Sequence, residues 1–283
     1  MNKKRSLYPA FNAILLVGIS LLMLIPFLNI LAGSFSNGQA ILQGKVTIFP
    51  VQFTLDNYVA VLKNAAIWKA FAVTVWITVC GTFMSLLFTS TMGYSLSKSH
   101  LKGRNIMIIM VIITMIFPAP LIPTYLVVKG YGMLDSLSAL IIPGLVSAFN
   151  LVIMISFFKG IPDALSEAAT IDGCDEFRTF WKIILPVSLP SLTTVGLFYA
   201  VGYWNSYMSA IMYLRNPNLY TLQVKLRQLI VESDAGSSAS GMLMSIEGIK
   251  MATIIIATVP ILLIYPLIQK HFIQGAMIGS VKG

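Results

Sequence analysis

Five of the ten acidic side chains in this chain fall within one short stretch: Asp163, Glu167, Asp172, Asp175 and Glu176. Glu167 stands directly before Ala168 and Ala169. Two alanines allow another backbone to approach closely, and the glutamate beside them offers one charged contact. Pro162 suits the first position of a helix, and Asp163 complements the positive end of its dipole. Leu165, Ala168, Ala169 and Ile171 then fall on one side, and Gly173 stops the helix. Asp175 caps a second helix over residues 176–184, which ends before Leu185 and Pro186. The segment predicts helix, turn, helix, lying outside any apolar layer.

A second group suits binding. Tyr199, Tyr203, Trp204, Asn205, Ser206, Tyr207 and Tyr213 crowd one apolar stretch. Spacing of three and four places Tyr199, Tyr203, Ser206 and Tyr207 on one helical face. Aromatic faces and amides suit sugars, which offer C–H faces and hydroxyl rims, so this face is expected to line a cavity. Two other readings stand beside it. Tyr207 and Tyr213 fit an interfacial aromatic belt, and Trp204 fits packing against a partner. Asn150 and Tyr125 are weaker candidates on neighbouring stretches.

Other chemistry is missing. No phosphate-binding Gly-x-x-x-x-Gly-Lys-Ser/Thr loop is present. His100 and His271 sit beside lysines in connecting segments and form no catalytic pair. Cys80 lies in an apolar run and Cys174 in a polar one, so neither a disulfide nor a metal site is expected. No catalytic residues, no metal and no bound cofactor are therefore predicted.

The elements that position these residues follow from composition. The chain of 283 residues is 57% hydrophobic and 10% charged, whereas about 25% charge is usual for a soluble domain. The net charge of +9 sits at the edges of apolar runs, which points to a membrane and not to nucleic acid. Stretches free of charge and histidine occupy 11–33, 70–97, 105–128, 136–158, 190–214 and 251–269. Each approaches or exceeds the ~20 residues that a spanning helix needs. Continuous apolarity, without alternation, excludes strands. The first run is too long for a cleaved signal peptide and is expected to be a retained anchor. The prediction is an all-α integral membrane protein of six transmembrane helices in a single domain, with the helix–turn–helix at 160–190 on the cytoplasmic side. None of the six runs holds an Asp or Glu. Carriers coupled to protons or sodium place such groups within the membrane. Lysine and arginine number 11 in the 62 residues of 1–10, 98–104, 159–189 and 270–283, against 8 in the 79 residues of 34–69, 129–135 and 215–250. Both termini are accordingly expected in the cytoplasm. The outer segment 34–69 predicts a surface helix starting near Thr54 to Asn57 and carrying Tyr58, Val61, Leu62, Ala65 and Trp68.

The spacing Glu167, Ala168, Ala169, then Gly173, then Ile183, Leu185 and Pro186 resembles the EAA loop of bacterial ABC importer permeases. Gly93 and Tyr94 through Gly103 and Arg104 resemble the loop after the second core helix of those permeases. Gly202, Tyr203, Trp204 and Asn205 are similar to the maltose-type carbohydrate subfamily, as is the tail around Tyr265, Pro266 and Gly279. Within that subfamily, the likeness is to permeases for complex oligosaccharides. The resemblance implies the type I ABC importer fold and a bacterial cytoplasmic membrane. It also implies four kinds of partner: a second permease subunit, two ATPase subunits that hold ATP and Mg2+, an extracytoplasmic solute-binding protein and the lipid bilayer. By the same resemblance, Glu167 is a polar anchor for an ATPase, Ala168 and Ala169 a packing face, Gly173 the turn, and Leu185 and Pro186 the return to the membrane. Asp172 and Ile183 belong to the same set. The tail 270–283 would approach the ATPases, and the 215–250 segment the binding protein. Importers of a non-sugar solute, and a stand-alone secondary carrier, are the alternatives.

Overall fold

The computed structural model describes residues 7–235, 246–263 and 266, and every regular element among them is helical. Two compact units form: residues 1–68 with 225–260, and residues 69–224 with 261–283.

In the first unit, α1 (Leu7–Ser34) presents a bare apolar surface. Ile14, Leu22 and Met23 are each about 70% exposed, as expected of side chains that meet lipid or another chain instead of water. Its stretch Phe11–Ser34 has a mean hydropathy of 2.6 over its most apolar part. The end of α1 is closed by side chains. Asn57 Nδ2 donates to the carbonyls of Ser34 and Ser36 at 3.1 and 2.9 Å, satisfying acceptors that a helix end leaves open. Asn29 Nδ2 donates to Val46 and Thr47 carbonyls at 3.1 and 2.9 Å. Between these ties, α2 (Gly38–Leu42) packs Ala40 with Ala32 and Val46.

The surface helix expected from Thr54 onward is α3 (Asp56–Lys63), and it is shorter than its apolar spacing suggested. Asn64 leaves helical geometry at φ −82°, ψ 97°, and its Oδ1 accepts from Ala66 N–H at 3.0 Å. Ala65 and Trp68 therefore begin the next helix instead of continuing this one. An asparagine that bonds the backbone two residues on is a strong local break.

The second unit is built on α4 (Ala65–Ser97), a 33-residue helix whose first residues belong to the preceding unit. Its buried stripe is Ala70, Thr74, Ile77, Gly81, Ser85 and Thr89, small or hydroxylated residues apart from Ile77, at spacings of three and four. Two apolar stretches that read as single runs are bent pairs. α5 (Arg104–Ile116) and α6 (Leu121–Gly130) meet at 116°. Pro118 and Pro120 lie in the break, where they lack N–H donors and hold the preceding residues out of helical geometry. α7 (Ser138–Ile141), continued by the 3-10 turn Ile142–Gly144, meets α8 (Ala148–Lys159) at 50°. After α9 (Asp163–Ile171) come α10 (Glu176–Thr179), the π-helical segment Phe180–Ile184 and α11 (Leu185–Val187) in one rod. That rod meets α12 (Leu189–Trp204) at 81°. α13 (Met208–Tyr213) and α14 (Leu222–Ala235) follow.

Among the described residues, α1, α4 and α15 (Ile246–Leu263) are long and apolar enough to cross a membrane, and the number reaches six if each bent pair is one span. Ile77, Val128, Met154, Ile184 and Val195, all at most 2% exposed, form the heart of the second unit. The tail 270–283 and most of the polar stretch 234–241 fall outside the described residues, as do 264, 265 and 267–269 of the last apolar run.

Candidate functional site

The predicted helix–turn–helix is present, and its local chemistry explains its shape. Pro162 is the N-cap of α9, one position earlier than expected, and Asp163 opens the first turn. Gly173 sits at φ +78°, a conformation that favours glycine. Cys174 N–H bonds the Ala169 carbonyl at 2.9 Å and Gly173 N–H the Thr170 carbonyl at 3.0 Å. Those two bonds are a Schellman C-cap. Asp175 Oδ1 then accepts from Arg178 N–H at 2.7 Å and starts α10.

The second helix does not end before Leu185. It runs through Pro186, because the π-helical segment shifts bonding there to i→i−5, seen in Leu185 N–H to the Phe180 carbonyl. A proline tolerates this register, since a wider turn relieves the clash its ring makes in a regular helix. Ile183 and Leu185 lie half-buried along that rod, and Pro186 is exposed.

The four residues expected on one packing side are divided. Ala169 is buried at 2%, whereas Ala168 is exposed and Ile171 is 86% exposed. Glu167 and Asp172 are also exposed, as is Phe177 at 70%. The turn thus presents an apolar and acidic surface.

What holds this turn to the bundle was not read from the sequence. Tyr94, near the end of α4, donates from its hydroxyl to Glu176 Oε2 at 2.9 Å. Lys98 Nζ donates to Ser166 Oγ at 3.1 Å and lies 4.8 Å from the centre of the Tyr94 ring. That ring packs on Phe180 and Phe158, at 5.1 and 5.9 Å between centres. A cavity of about 370 Å3 opens beside the cluster, with Lys159, Asp163 and Glu167 on its wall. The only signal available in advance was Tyr94 and Lys98 one helical turn apart.

The tyrosine group occupies a second place. The helix ends at Trp204, so Ser206 and Tyr207 are not on a continuous helical face with Tyr199 and Tyr203. Asn205 closes α12, its Nδ2 donating to the Val201 carbonyl at 2.9 Å. The break nevertheless brings these residues together. Ser147 and Asn150 join Tyr199, Tyr203, Asn205, Ser206 and Tyr207 around a cavity of about 440 Å3. Its lining carries no charged side chain. The Ser206 hydroxyl is buried there without a partner. Trp204 is outside that lining and packs edge-on to Phe71 at 5.9 Å. Tyr125 packs on Tyr213 at 6.3 Å instead.

Tyr199 and Tyr203 are also fastened. Tyr199 shares a 2.7 Å hydrogen bond with Thr89 and accepts from Ser147 N–H at 2.9 Å. Tyr203 shares a 2.9 Å bond with Ser85, and its ring lies where a side chain on Gly81 would stand.

Comparison with known proteins gives consistent matches. Residues 85–277 match the family described as binding-protein-dependent transport system inner membrane component. The chain is 44% identical to the polygalacturonan/rhamnogalacturonan transport system permease protein YtcP of Bacillus subtilis strain 168, over 95% of this chain and 96% of that one. It is also 44% identical to protein LplC of the same strain, over 99% and 97%. Among solved structures, a bacterial ABC transporter involved in the import of the acidic polysaccharide alginate has a similar chain. The TM-score is 0.89 at 32% identity, covering 96% of this chain and 99% of that one.

Proposed function

The chain belongs to the binding-protein-dependent transport system inner membrane components, the permeases of ABC importers, and from that membership we propose that it forms half of a path for an oligosaccharide and couples that path to separate ATPase subunits. It has the type I importer fold. The observation that carries the coupling role is the capped turn at Gly173. There Glu167, Ala168, Ile171 and Phe177 stand exposed on a helix pair anchored to the bundle. In this reading, an ATPase subunit takes the Glu167 and Ala168 side of α9, with Asp172 at its edge. Ala169 packs that helix inward, and Ile183, Leu185 and Pro186 lie on the rod that leads back to the membrane.

The chain works without chemistry of its own. ATP and Mg2+ sit on two ATPase partners, a second permease completes the path, and an extracytoplasmic binding protein delivers solute. The turn, like both termini, lies in the cytoplasm of a bacterial cell, by the lysine and arginine distribution. A sugar substrate has two supports. The cavity beside Tyr199 and Tyr203 offers hydroxyl, amide and aromatic groups without charge. The substrates named for YtcP and for the alginate transporter are sugar polymers.

The test is isolation of the chain from gently solubilised membranes. A second permease and an ATPase are expected with it. A Glu167→Lys, Gly173→Val double variant should lose the ATPase and keep the second permease. Transport by the purified chain alone in vesicles would overturn the reading in favour of a self-sufficient carrier.

A further inference from the structure

We propose that α4 is the rod that carries the movement of the helical turn to the cavity, and that Tyr94 is the positioning residue that locks the rod to the turn. This rests on the coupling role argued above and adds the path by which coupling travels.

The lower end of the rod has two polar ties to two different helices of the turn. Tyr94 bonds Glu176 of α10 at 2.9 Å, and Lys98, the residue directly after the last of α4, bonds Ser166 of α9 at 3.1 Å. Tyr94 is only 9% exposed, and its ring is held between Phe158 and Phe180, so the hydroxyl has one defined direction. A hydrogen bond to a charged acceptor in such a place is short, strong and directional.

The upper ties begin five residues back. Thr89 bonds Tyr199 at 2.7 Å and Ser85 bonds Tyr203 at 2.9 Å. Tyr199 passes the connection on to the backbone N–H of Ser147 at 2.9 Å. Both tyrosines and Ser147 line the cavity of about 440 Å3. Nine residues separate Tyr94 from Ser85, a rise of about 14 Å along a helix. No proline interrupts α4 over its 33 residues. Glycine is used where neighbours come closest, with Gly81 against the Tyr203 ring and Gly93 against Met154. A displacement of the turn therefore reaches the cavity wall through one helix and four side-chain bonds.

The experiment uses the whole importer in lipid vesicles, with ATPase activity read with and without solute-loaded binding protein, alongside solute moved per ATP. Tyr94→Phe removes one oxygen and keeps the ring packing. It should lower the stimulation by binding protein and the transport per ATP by about tenfold, the factor expected for a lost hydrogen bond to a charged acceptor. Basal ATPase activity should stay unchanged. Glu176→Gln retains a carbonyl acceptor and should couple to within about twofold of the wild type, as a neutral acceptor costs less. Thr89→Val, isosteric at the upper end, should give the same loss as Tyr94→Phe, and serves if Tyr94→Phe assembles poorly.

Normal transport per ATP in Tyr94→Phe and Thr89→Val would overturn the proposal. A loss that merely tracks the amount of assembled complex would do so as well. Neither result touches the docking role of the turn, which fails only if the ATPase does not accompany the wild-type chain.

Discussion

Asp135 shows how much one side chain organises here. It holds φ +60°, a conformation that asparagine, aspartate and glycine tolerate best. Its Oδ1 accepts the N–H of Arg215 at 2.5 Å and of Asn216 at 2.8 Å, and its own N–H bonds the Tyr213 carbonyl at 2.9 Å. It therefore pins the start of the segment after α13. The Arg215 N–H, then that of Asn216, then the charge of Arg215, hold its carboxyl below the ordinary value of 3.8. A lowered carboxyl contributes its stability above the unfolded value and loses it as pH falls through the folded one. The segment 214–220 should accordingly keep this tie from neutrality down to about 4, where a carboxylate of ordinary pKa is already half protonated. It should loosen only in stronger acid. Asp135→Ala should produce that loosening at neutral pH. Hydrogen exchange of the Arg215 and Asn216 amides checks both: unchanged protection in the variant would remove Asp135 from this role.

The packing of α4 on α12 belongs to the scale of elements. At Gly81, a Cβ would stand 2.8 Å from the Tyr203 ring, so that ring and the helix backbone are in direct contact. Gly81→Val should cost about 1–3 kcal/mol by overpacking. Tyr203→Phe should cost about 1 kcal/mol, the net worth of one hydrogen bond. Thermal unfolding of the solubilised protein orders the two, and a harmless Gly81→Val would mean that the helices separate readily. This contact marks the limit of what the sequence discloses. The long apolar runs of α1 and α4 were legible because apolarity without alternation is a property of one segment. The turn at Gly173 was legible for the same reason, since its caps use residues at most five apart. The 116° break between α5 and α6 was less so: apolar composition continues through it, and Pro118 and Pro120 alone do not say how sharply the chain turns. The π-helical segment before Pro186 has no signal in residue types. Tyr94 with Glu176, and Thr89 with Tyr199, join residues 82 and 110 apart, and no local pattern announces such pairs.

At the scale of the molecule, the orientation of the bundle rests on a difference of charge density, and the chain carries its own reporter for it. It has two cysteines, both free. Cys80 lies within α4 and packs against the core of its unit. Cys174 lies in the turn directly after Gly173, half-buried, with its backbone N–H in the Schellman cap. A thiol at such a turn reacts with a maleimide through its thiolate, at a rate set by access and pH. With Cys80→Ser in place, a membrane-impermeant maleimide should modify Cys174 in inside-out vesicles and leave it untouched in right-side-out ones. Adding the ATPase subunits should slow the reaction, because their docking surface would include the end of α9. Modification from the outer side would invert the bundle, and the turn could then meet no cytoplasmic ATPase. Modification from the inner side at a rate that the ATPase leaves unchanged would keep the orientation and move the docking surface away from Gly173, toward Glu167 and the start of α9.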